Sequence, residues 1–170
     1  MCVTKSAVRA LILIPLWGLL VSASADEREF ALSASSDAAL LRSEGSRWGG
    51  GATLELSYGL SDAVALRATG SLTAHEGSTL AYQTCLGLGF ALDILRVVPF
   101  VDFSFGLLGR RAEGSWSNDF GVTVGLGADY LVSRRLTLGG IARFGASLTS
   151  NRETPLLFYV GPRITFRFGG

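Results

Sequence analysis

Phe120-Gly121-Val122-Thr123-Val124-Gly125-Leu126-Gly127-Ala128-Asp129-Tyr130 carries an apolar or aromatic residue at every even position and glycine, threonine or aspartate at every odd one. Side chains alternate across a β-strand, so this segment has one apolar face and one small, polar face. Strands of soluble proteins are mostly about five or six residues long. A tilted crossing of a bilayer needs about 9–11. The stretch reads as a membrane-crossing strand.

The same pattern recurs along the chain and predicts strands at 28–35, 49–60, 63–73, 79–92, 97–108, 119–131, 135–148 and 156–168. The connections at Ser61-Asp62, Asp93–Arg96 and Val132–Arg134 read as tight turns, and those at 36–48, 74–78, 109–118 and 149–155 as longer polar loops. An even strand number, with short turns at one end and longer loops at the other, is the pattern of outer-membrane barrels. The expected fold is all-β: an eight-stranded antiparallel up-and-down transmembrane β-barrel with both termini on the periplasmic side. Pro162 cannot donate to a ladder and marks a candidate bulge in the last strand.

Residues 1–25 read as a cleaved secretory signal peptide. Lys5 and Arg9 form the positive region, Ala10–Val21 the apolar region, and Ala23-Ser24-Ala25 the small-residue cleavage site. Residues 26–170 then form one barrel domain, exported to the cell outer membrane. Without Lys5 and Arg9, thirteen basic residues face fourteen acidic ones, so a nucleic-acid partner is not expected. Cys85 is the single cysteine after the leader, which excludes an intrachain disulfide. No Cys/His group has metal-ligand spacing and no phosphate-binding glycine loop is present, so neither metal nor cofactor is expected.

The parity of each strand sorts its residues. Tyr58, Phe90 and Tyr130 each fall just before a tight turn and point outward, and Trp48 and Trp116 fall at the loop side, as a membrane-interface aromatic girdle requires. The inward set is mostly small, and contains Glu29, Glu55, Asp102 and Asp129 with Arg67, Arg143, Arg163 and Arg167. An isolated buried charge is costly, so these groups are expected to form lumen ion pairs. Eight strands leave an interior that side chains can fill. A closed, ion-paired lumen is therefore expected ahead of a narrow pore for ions or small solutes. A soluble calycin-like barrel would want large apolar residues inside and polar ones outside, and the polar set here, mostly glycine and other small residues, would make a poor water-facing coat.

Leu86-Gly87-Leu88-Gly89-Phe90-Ala91-Leu92-Asp93 followed by Val98-Pro99-Phe100-Val101, and Gly125–Gly139 with its aromatic and tight turn, resemble the OmpA-like small outer-membrane β-barrel family. The resemblance covers nearly all of residues 26–170 and is architectural. It implies a monomer, assembly by the barrel-assembly machinery, and outer-membrane lipids including lipopolysaccharide as surroundings. Family members end in an aromatic residue, whereas here Gly169-Gly170 follow Phe168. No peptidoglycan-binding domain follows the barrel, so a cell-wall tether is not implied.

Activity signals are sparse. His75, in the expected loop His75-Glu76-Gly77-Ser78, is the single histidine, and some lipid A deacylases of similar size use His, Ser and an acid. No motif of that arrangement matches, so the expectation is a structural or surface-interaction role without catalysis. Arg42, Arg47, Arg110, Arg111 and Arg152 fall in the expected external loops, mixed with Asp37, Glu44, Glu76, Glu113 and Glu153. Arg110-Arg111 is the one basic cluster, a candidate surface contact for anions such as lipopolysaccharide phosphates.

Overall fold

The computed structural model describes residues 29–42, 45–92, 96–112, 115–149 and 156–168, Ala112 in its backbone alone. The leader at 1–25, Glu44, Glu113, Arg152, Glu153 and Gly169-Gly170 lie outside the described residues. Eight strands follow one another in chain order: β1 (Phe30–Arg42), β2 (Ser46–Gly59), β3 (Val64–His75), β4 (Thr79–Ala91), β5 (Val97–Ala112), β6 (Ser115–Leu131), β7 (Leu136–Ser147) and β8 (Leu156–Phe168). Each pairs antiparallel with the next, and β8 pairs with β1, so the sheet closes as an up-and-down barrel. Closure leaves no sheet edge, which is what lets strands cross a bilayer with every backbone group paired.

The alternation survives intact. Leu54, Leu86, Phe105, Phe120 and Leu126 are more than half exposed on the outer wall, while Ser33, Glu55, Thr123 and Arg143 are buried inside. An apolar exterior over a polar interior inverts the soluble arrangement and fits a lipid-facing barrel.

Four expectations need correction. The segment 36–48 is not a loop: β1 runs on to Arg42 and β2 starts at Ser46. Ser36 and Ala38 face outward there, paired with Ala52 and Gly50 of β2. Such small residues give no contrast with the inward set, so the alternation is present without being visible in hydropathy. Likewise β5 and β6 extend to Ala112 and back from Ser115, placing Arg110 and Arg111 in a strand. The turn between β3 and β4 shrinks to Glu76-Gly77-Ser78, where Gly77 (φ 75°) and Ser78 (φ 56°) take left-handed conformations. Finally, Pro162 makes no bulge. The β7–β8 register passes through Gly140↔Pro162 without a slip, and β1–β8 pairing resumes in the same register on either side.

The register also sets the shape. Stepping from Phe30 through Tyr58, Leu66, Leu88, Phe103, Val124, Phe144 and Phe158 returns to β1 at Leu40, ten residues further on. With about 3.3 Å per residue and about 4.8 Å per strand, that shear tilts the strands by about 40° from the barrel axis.

Candidate functional site

The end of the lumen nearest the β2–β3, β4–β5 and β6–β7 turns is built around a carboxylate. Glu55 of β2 projects across the interior and meets Arg163 at 2.7 Å, Arg67 at 3.5 Å and Arg143 in direct contact. Asp102 of β5 braces the same cations, 3.3 Å from Arg67 and 3.6 Å from Arg143. Asp129 lies 3.7 Å from Arg163, which also donates to the Ser33 hydroxyl at 2.8 Å. Arg167 and Glu29 form a separate, looser pair at 4.0 Å near the rim, each about a quarter exposed. Six of the eight charged residues that the sequence assigns to the lumen thus join one network, contributed by six strands.

Phe100 is the member that charge counting overlooks. Its ring lies between two guanidinium groups, with Arg67 at 4.7 Å and Arg163 at 4.6 Å from the centroid. An aromatic face attracts a cation when water is excluded. The signal was available as parity, because Phe100 sits on the inward side of β5 beside Asp102.

Inward glycines make the network possible. A Cβ at Gly89 would collide with the Arg67 side chain, at Gly125 with the Asp102 carboxylate, at Gly127 with the Phe100 ring, and at Gly139 with Asp129. Long charged side chains therefore lie over glycine on the neighbouring strand. Below them a recess of 120 Å³ reaches up to Arg67, Phe100, Asp129 and Arg163.

The opposite half of the lumen is different. Gln83 donates to Thr123 at 2.5 Å and to Cys85 Sγ at 3.1 Å, and accepts from Tyr159 Oη at 2.9 Å. Beside them Ala39, Leu41, Leu157 and Tyr159 form a buried apolar cluster. Asp37, expected in a loop, is 6% exposed inside this half and accepts from Thr53 Oγ1 at 2.5 Å. His75 ends β3 with its ring buried in the mouth. Its Nε2 is 2.9 Å from Thr73 Oγ1 and its Nδ1 3.3 Å from the Arg47 carbonyl. Among the described residues no group of His, Cys, Asp and Glu is arranged to hold a metal ion.

On the outer wall, one residue along a strand climbs about 2.5 Å, and one strand around the barrel from β1 towards β8 climbs about 3 Å. Phe30, Tyr58, Phe90 and Tyr130 then fall within about 5 Å of one level, with Tyr82, Phe120 and Trp48 about 25 Å above them. That separation equals the apolar band of outer-membrane barrels, about 25 Å tall between aromatic girdles. Trp116 stands about 10 Å higher still. Arg110 and Arg111, adjacent in β5, point to opposite faces: Arg110 inward and half-buried, Arg111 outward and exposed.

Solved structures resemble this architecture over almost their whole length. Neisserial surface protein A superimposes with a TM-score of 0.73 at 16% identity, over 82% of this chain and 97% of that one. The fold is that of the small outer-membrane β-barrels. The outer membrane protein OprG of Pseudomonas aeruginosa matches at a TM-score of 0.61 and 8% identity, over 85% of this chain and 97% of OprG. Ail, the attachment invasion locus protein of Yersinia pestis, matches at 0.54 and 14%, over 84% and 100%. No protein-family model and no curated relative matches the sequence.

Proposed function

We propose that this chain is exported by its leader to the outer membrane. There it serves as a closed barrel with a structural or surface-interaction role and no chemistry of its own. The observation that carries this reading is the balanced lumen network: Arg67, Arg143 and Arg163 against Glu55, Asp102 and Asp129. A pore selective for one sign would line its constriction with that sign. Here the two signs neutralise each other across the axis, and Phe100 fills the space between two of the guanidinium groups.

Recording from planar bilayers tests the closed lumen. A silent membrane at protein levels where a heat-modifiable barrel band is present is the expected result. Stepwise conductance would favour the second reading, a narrow pore, towards which the recess beneath Arg163 and Arg67 points. Outer-membrane fractionation tests the location: the unheated band should migrate faster than the boiled one, in that fraction alone.

A further inference from the structure

We propose that the outer wall of β4–β6 carries a binding site for the phosphorylated sugar headgroup of an outer-leaflet glycolipid, with Arg111 on the phosphate and Trp116 against the sugar. This rests on the outer-membrane reading above and gives that surface a partner.

The site is built on the sheet and not on a loop. Arg111 pairs across the strands with Leu80 and with Trp116. Its guanidinium lies 5.8 Å from the Trp116 ring centroid. Trp116 in turn meets Tyr82 edge-on at 5.7 Å. Tyr82 is held down at both ends of its ring: the hydroxyl donates to Asn118 Oδ1 at 2.9 Å, and the ring covers Gly109, where a Cβ would have no room. Four side chains from three strands thus hold one another on a face that points away from the lumen.

Height and charge select the ligand. Among the described strand residues, every outward position is uncharged except Arg42 and Arg111. Both lie about 5 Å above the ring of Tyr82, Phe120 and Trp48, and they stand on β1 and β5, on opposite walls. A solvated rim mixes signs, whereas these outward positions are cationic only and sit at one level. That is where the phosphates of a leaflet begin, and an arginine fork binds phosphate at two points. Trp116 is 53% exposed and rises a further ~3 Å above Arg111. An amphipathic ring placed beyond the hydrocarbon edge needs a headgroup that extends outward past its phosphate. A sugar does so, and its C–H face packs on an indole.

With Trp17 and Trp48 replaced by Phe, Trp116 is the sole tryptophan. This protein, refolded into phosphatidylcholine vesicles, is titrated with bisphosphorylated lipid A while Trp116 emission is followed. The expected result is a saturable emission change whose midpoint rises about fivefold in Arg111→Gln, the share of one cation near an anionic leaflet. Dephosphorylated lipid A should lose the same factor on the parent. An unchanged midpoint in Arg111→Gln overturns the proposal. So does an equal response to inorganic phosphate, which would mark a free-anion site, or to phosphatidylglycerol, which would mark general attraction to anionic lipid. Arg111 is exposed, so both proteins should keep the heat-modifiable band; loss of that band in the parent would instead remove the membrane reading.

Discussion

The two halves of the lumen solve the same packing problem with different chemistry. Near the short turns between β2 and β3, β4 and β5, and β6 and β7, six charged side chains and one phenyl ring fill the interior. Towards the far end a neutral amide, hydroxyls, an aliphatic cluster and the hydrogen-bonded Asp37 carboxylate fill it instead. The charged half depends on mutual compensation, because each ion has lost its water. The mostly neutral half, where Gln83, Thr123 and Tyr159 meet, loses one hydrogen bond at a time. The difference teaches that removing one group should be severe in the first region and mild in the second.

Glu55→Ala should have the largest effect, because it leaves Arg67, Arg143 and Arg163 short of their shared anion. Destabilisation of about 3–5 kcal/mol is expected from breaking one side of a buried ion pair, read from the urea midpoint for unfolding in detergent micelles. A loss no larger than that of a neutral-half variant would erase the contrast. Gly89→Ala pushes a methyl group into the Arg67 side chain. An overpacking cost of about 2 kcal/mol is expected, and the same titration checks it.

Tyr159→Phe removes the hydroxyl that donates to Gln83, so about 1 kcal/mol should be lost. Gly70→Ala is the smallest change. It lies on the outer wall with nothing within 4 Å of a new Cβ, and stability should move by less than about 0.5 kcal/mol. A large loss at Gly70 would mean that this wall is covered by something other than lipid.

Legibility followed the range of the interaction concerned. The faces of Glu55, Arg67, Asp102, Asp129, Arg143 and Arg163 could be read from parity, because alternation is a property of neighbouring peptide units. Asp37 was misplaced because the outward Ser36 and Ala38 beside it are small, so a continuing strand looks like a polar loop. His75 was misplaced because it ends β3 directly before the Glu76-Gly77-Ser78 turn. Arg110 and Arg111 looked like one cluster in a loop, and strand geometry sent them to opposite faces.

By itself the sequence determined the strand period, the lipid-facing and lumen-facing sets, and the near balance of charge inside. Only closure with a shear of ten residues decided which of those charges meet. That offset brings Glu55 of β2 against Arg143 and Arg163, which are 88 and 108 residues away along the chain. No local pattern encodes such a meeting, because it depends on the register of every ladder around the barrel. The same tilt raised Arg111 and Trp116 of two neighbouring strands above the aromatic girdle, where a leaflet's phosphates lie.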